Sequence, residues 1–100
     1  MMKHILLLSS LLLSTQCFSS VKLIPDGDIG RLIIENSSSQ RCTYHITVED
    51  YSRLTSTSDL KWHKKSVGKY ELTANSNYIE EFYSSEALDW RYSLNWKRCD

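Results

Sequence analysis

From Arg31 onward the chain alternates apolar and polar residues with a period of two, and no segment holds apolar residues at helical spacing for more than about two turns. The pattern is clearest from Arg41 to Asp50. There Cys42, Tyr44, Ile46 and Val48 share one face while Thr43, His45, Thr47 and Glu49 share the other, as in a strand with one dry and one wet side. It recurs from Leu88 to Lys97, where Leu88, Trp90, Tyr92, Leu94 and Trp96 alternate with Asp89, Arg91, Ser93, Asn95 and Lys97. Aromatic side chains at this density favour an extended backbone.

Weaker strand patterns cover Val21 to Ile24, Gly30 to Glu35, Asp59 to Val67, Lys69 to Ala74 and Tyr78 to Tyr83. Between them lie Pro25-Asp26-Gly27-Asp28, Asn36-Ser37-Ser38-Ser39, Ser52 to Ser58 and Asn75-Ser76-Asn77, all built from turn-forming residues. Ser84 to Leu88 admits one helical turn. About seven short strands predict an all-β, immunoglobulin-like two-sheet sandwich, with a single-sheet roll or small barrel as the alternatives.

The first twenty residues follow a different rule. Lys3 and His4 precede an apolar run from Ile5 to Leu13, which ends in the small polar stretch Ser14 to Ser20. The run falls well short of the roughly 20 residues that span a bilayer as a helix. It reads as a signal peptide over residues 1–19, cut after Cys17-Phe18-Ser19, with one domain over residues 20–100. Cys17 admits a second reading, acylation as a lipoprotein cysteine, although Gln16 stands where small residues are usual.

Export changes the meaning of the cysteines. With Cys17 removed, Cys42 and Cys99 remain, and a pair in an exported chain of this size predicts a disulfide. Cys99 has the opposite parity to Trp90, Tyr92, Leu94 and Trp96, so the bridge requires either a frayed strand end or a local bulge.

Charge and candidate chemistry narrow the function. Removing the leader leaves 11 Lys+Arg against 12 Asp+Glu, a balance without the basic excess of a nucleic-acid binder. His45 and His63 have no second ligand type at metal spacing, so no metal or other cofactor is expected. The three glycines, Gly27, Gly30 and Gly68, form no phosphate-binding loop, and no serine sits in a nucleophile elbow. Glu80 and Glu81 fall on opposite faces of an extended segment and cannot act as an acid and base pair. No catalytic residue is assigned. Asn36-Ser37-Ser38 is a glycosylation sequon that is read as a polar turn.

The most informative surface segment is Lys61, Trp62, His63, Lys64 and Lys65, continued by Lys69. Lysines on an edge strand discourage aggregation. The same lysines beside Trp62 also suit a docking strip for an acidic or strand-forming protein chain. Glu71, Glu80, Glu81, Glu86 and Asp89 form either an opposing acidic patch or a solvated face.

The Gly27-Asp28-Ile29-Gly30-Arg31-Leu32 turn and strand, Tyr44-His45-Ile46-Thr47-Val48, Gly68-Lys69-Tyr70-Glu71-Leu72-Thr73-Ala74-Asn75, and Tyr92-Ser93-Leu94 leading to Cys99 together resemble the small periplasmic immunoglobulin-like proteins of curli biogenesis. The resemblance runs from about Val21 to Asp100. It implies a mostly monomeric, non-catalytic periplasmic chaperone that keeps an amyloid-forming partner, the curli major subunit, from assembling early, without nucleic acid or stable membrane insertion. The rival readings are a secreted inhibitor of a lysozyme or protease acting through Ser52 to Ser58, and a pilus or adhesin subunit.

Overall fold

A computed structural model describes residues 19–100. Cys17 and residues 1–18 of the proposed leader lie outside the described residues, whereas Ser19 already belongs to the first strand. Six strands follow in order: β1 (Ser19–Asp26), β2 (Ile29–Asn36), β3 (Cys42–Ser52), β4 (Lys61–Leu72), β5 (Ser76–Tyr83) and β6 (Asp89–Cys99). All pairing is antiparallel, in two three-stranded sheets of order β1-β2-β5 and β4-β3-β6. The described residues are all-β, and their two sheets are consistent with a sandwich.

The count is six, not seven, because the segments expected at Asp59 to Val67 and Lys69 to Ala74 are one strand. Gly68 does not break it: the residue pairs opposite Ile46 in an uninterrupted part of the ladder, and its φ is not positive. A turn does form at Gly27, where φ is +61° and the two-residue connection Gly27-Asp28 joins β1 to β2. A glycine first in a hairpin loop permits the backbone twist that matches the flanking strands. The helical turn allowed for Ser84 to Leu88 is absent; Ser85 and Glu86 form a turn in which Glu86 has φ 61°.

The core forms where the alternating faces meet. Leu32 and Ile34 of β2 lie against Cys42, Tyr44, Ile46 and Val48 of β3, all fully buried, with Leu72, Phe82, Ala87 and Trp90 completing the cluster. The expected core face of β3 is thus the observed one. Trp90 anchors the sheets to each other. Its indole ring lies on Gly30 of β2, where a Cβ would come within 2.5 Å of the ring, and its Nε1 donates to the Gly27 carbonyl at 3.0 Å. Only a residue without a side chain permits this approach.

Cys42 and Cys99 are bridged and stand directly opposite each other on β3 and β6. The parity conflict is resolved by a bulge: His45 pairs with Trp96 but Ile46 pairs with Leu94, leaving Asn95 as the extra residue. The bulge reverses the side-chain alternation. Cys99 therefore joins the inner face, and Trp96 moves to the outer face, away from Trp90, Tyr92 and Leu94, with which its parity had grouped it.

Asn36 is the second tie. It is buried, its Nδ2 donates to the carbonyls of Gln40, Leu72 and Thr73 at 2.9, 3.1 and 3.0 Å, and its Oδ1 accepts from the Ser38 main-chain N–H. The sequon asparagine of the sequence is thus an internal strut that fastens the β2–β3 turn to the end of β4. Its side-chain nitrogen is committed to those three carbonyls.

Candidate functional site

The sheet order leaves β4 and β6 as the edges of their sheet, with β3 between them. The expected strip Lys61, Trp62, His63, Lys64 and Lys65 occupies the first part of β4, but strand alternation divides it. Trp62 and Lys64 are opposite Tyr51 and Glu49, on the outer face. His63 is opposite Asp50 and points inward, donating from Nε2 to the Ser52 carbonyl at 3.0 Å. Lys65 is the extra residue of a second bulge, because Val48 pairs with Ser66 and Glu49 with Lys64. Lys61, Lys64 and Lys65 are all exposed.

The inward side near His63 holds a buried carboxylate. Asp50 accepts from the hydroxyls of Ser52 and Ser84. Histidine, serine and aspartate are thus close together, but His63 bonds a main-chain carbonyl and both hydroxyls bond the carboxylate. In this cluster His63 therefore does not contact the hydroxyl of Ser52 or Ser84, the contact that would activate a nucleophile. The cluster secures the start of the β3–β4 loop and the end of β5. Next to it, Arg53, Leu60, Glu86, Ala87 and Leu88 line a shallow cleft of about 400 Å³, and Leu54 on the same loop is strongly exposed.

The outer face of the β4-β3-β6 sheet collects aromatic and cationic groups from all three strands. His45 stacks on Trp96 with ring centres 5.4 Å apart, and the Lys69 and Arg98 charges lie 5.7 and 5.3 Å from the Trp96 ring centre. Asn95, extruded by the bulge, donates from Nδ2 to His45 Nδ1 at 3.1 Å and to Thr47 Oγ1 at 2.8 Å. Further along, the Arg91 guanidinium lies 4.1 Å from the Trp62 ring centre while its Nε donates to Glu49 at 2.6 Å. Tyr51 packs on Trp62 at 5.1 Å. Cations over indole faces are held by the ring quadrupole.

The residue pattern alone put Arg91 opposite the Trp90 face and continued the lysine strip to Lys69, but it joined neither Arg91 to Trp62 nor Lys69 to Trp96. The local signal was the run Trp96-Lys97-Arg98. Its meaning depends on the Asn95 bulge.

The acidic residues do not gather as one patch. Glu81 pairs with Arg31 at 2.8 Å on the other sheet, Asp89 accepts from the Trp90 main-chain N–H, and Glu80 lies beside Tyr78, whose phenol it pushes above its usual range. Burial raises Tyr70 in the same sense. Among the described residues, no group of three His, Cys, Asp or Glu side chains is arranged to hold a metal ion, and no helix is long and apolar enough to cross a membrane.

Together these features define a small disulfide-closed, two-sheet β domain with a lysine-bearing edge strand. No protein-family model and no curated protein matches the chain. Among solved structures it is similar to the RGD-containing host-selective toxin ToxA of Pyrenophora tritici-repentis, at 16% identity over 78% of this chain and 73% of that one, with a TM-score of 0.41.

Proposed function

We propose that this chain is an exported, non-catalytic binding domain that meets a strand-forming protein partner along the edge of β4. One observation carries the reading: Lys61, Lys64 and Lys65 are exposed on a strand that, among the described residues, has no neighbour on one side, and the strand is interrupted by a bulge at Lys65. Lysines and a bulge on an edge oppose continuous pairing with another chain. They leave short stretches of backbone donors and acceptors beside positive charge, which suits brief contact with a polar or acidic strand. In the form implied by the curli resemblance, the partner is the curli major subunit, the site of action is the periplasm and the effect is to delay nucleation. The strand order also supports an immunoglobulin-like assignment of the sandwich, since β1-β2-β5 and β4-β3-β6 correspond to A-B-E and C′-C-F without a final G strand.

The test is thioflavin-monitored assembly of a purified curli major subunit with a substoichiometric amount of the oxidised protein. The wild type is expected to lengthen the lag, and the Lys61→Glu, Lys64→Glu, Lys65→Glu variant to shorten it again. An unchanged lag with wild type removes the curli partner, and an unchanged lag between wild type and variant removes the β4 edge.

A second reading rests on the exposed Leu54 beside the Arg53–Leu88 cleft. A β3–β4 loop of this kind suits insertion into a hydrolase. Stoichiometric inhibition of a lysozyme or protease, lost in Leu54→Asp, is its signature.

A further inference from the structure

We propose that β6 is a self-association edge, in which the segment from Trp90 to Leu94 pairs antiparallel with the same segment of a second copy about a two-fold axis at Tyr92. The inference goes beyond the partner proposed for β4, uses the other edge of the same sheet and stands or falls separately from it.

Along β6, Trp90 is buried, Cys99 is half-buried and every other residue is exposed. Tyr92 and Leu94 stand opposite Val48 and Ile46 of β3 and share their inward face, yet they are 38% and 42% exposed where Val48 and Ile46 are 0%. The core is therefore open at the flank beside β6. Across that flank lie Val21 and Leu23 of β1, only partly buried, and the Tyr92 hydroxyl reaches over to donate to the Val21 carbonyl at 2.9 Å. Among the described residues no strand pairs with β6 on this side. A strand added there would pair with the outward main-chain groups of β6 and cover Tyr92 and Leu94 together.

The charges along the edges select a second copy as the occupant. β4 carries Lys61, Lys64 and Lys65 and a bulge, β1 contains Pro25, and the middle of β5 carries Glu80 and Glu81. Such residues blunt an edge against pairing with its own kind. From Trp90 to Leu94, by contrast, Arg91 is the one charged side chain, and its Nε donates to Glu49. The stretch ends at the Asn95 bulge, so an unbroken self-pairing has Tyr92 at its middle. Trp90 then lies opposite Leu94 of the other copy, Tyr92 opposite Tyr92, and Arg91 opposite Ser93. An axis at Arg91 would set two guanidinium groups against each other, and an axis at Ser93 would bring the bulged Asn95 into the ladder. The Tyr92 register is self-complementary, as an isologous two-fold interface requires. The two sheets join in the order β4-β3-β6-β6-β3-β4, which leaves both lysine-bearing edges outermost.

Sedimentation velocity of the oxidised protein between about 1 μM and 1 mM tests the assignment. A reversible equilibrium between monomer and dimer is expected. Leu94→Lys removes apolar cover from both halves of the interface and should weaken the dimer roughly tenfold or more. Ser93→Lys, which sets a second cation opposite Arg91 of the other copy, should weaken it as well, whereas Ser93→Asp should not. Ile79→Lys, which removes a more exposed aliphatic side chain from β5 of the other sheet, should leave the dimer unchanged. If Leu94→Lys disturbs the near-ultraviolet circular dichroism, the two Ser93 variants are read in its place. The proposal is overturned if the protein is monomeric over the whole range, if Ile79→Lys dissociates the dimer as strongly as Leu94→Lys, or if Ser93→Lys and Ser93→Asp behave alike.

Discussion

Replacing Gly30 with alanine probes the contact that joins the two sheets. A Cβ at this position would lie 2.5 Å from Cδ2, 2.6 Å from Cε3 and 3.0 Å from Cγ of Trp90, whereas carbon atoms in good contact sit about 3.5–4.0 Å apart. The ring would have to retreat by about 1 Å, and it has little freedom to do so. Trp90 is buried, its main chain pairs opposite Asp50, and its Nε1 is committed to the Gly27 carbonyl. Overpacking of this kind costs about 1–3 kcal/mol, and the rigidity of the ring puts Gly30→Ala near the upper figure. Alanine also restricts the unfolded chain, which returns about 0.4–1 kcal/mol. The net loss is about 2 kcal/mol, or roughly 10 °C in Tm for a domain of this length. Thermal and urea unfolding followed by tryptophan fluorescence measures it. In a double-mutant cycle with Trp90→Leu the two changes should couple by about 1 kcal/mol or more. A Tm that is unchanged or raised in Gly30→Ala, or a cycle that is additive, would refute the packing argument.

Asn36→Ala leaves the Leu72 carbonyl without its buried donor and should cost about 2–3 kcal/mol, read as a lower urea midpoint; an unchanged midpoint would mean that solvent replaces the amide without loss. Cys42→Ala with Cys99→Ala opens a cross-link of sequence separation 57 and should cost about 4 kcal/mol by the chain-entropy estimate, with reduction of the wild type giving the same loss. Tyr70 and Tyr78 have folded-state pKa values raised above the ordinary 10.0, by burial and by Glu80 respectively. The unfolded chain therefore releases these protons first, so their contribution to stability is intact below pH 10.0 and is lost as pH rises through the folded values. Urea midpoints should fall above that pH, and less steeply in Tyr70→Phe; an unaltered slope in the variant would exclude Tyr70 as a source.

What the amino-acid sequence determined by itself was local. Period-two alternation marked the strands, and the inward set Cys42, Tyr44, Ile46 and Val48 followed from it, because successive side chains of an extended chain must face opposite ways. The two domain cysteines pointed to their bridge. The clash of parity at Cys99 even required a fray or a bulge, without saying which. Tertiary structure decided the rest. Gly68 looked like an interruption until β3 was seen to pair straight through it. Asn36 looked like a polar turn until three carbonyls from two separate segments, Gln40 and Leu72-Thr73, converged on it.

The candidate sites divide in the same way. The lysine strip was legible because its members are consecutive, yet alternation turned His63 inward and a bulge displaced Lys65. The group of Lys69, His45, Trp96 and Arg98 was not legible, because its members lie on three strands and meet only through register. A single extra residue, Asn95, shifts that register and moves Trp96 to the opposite face. Pairing between distant strands is set by the packing of the whole sheet, and no stretch of sequence contains it.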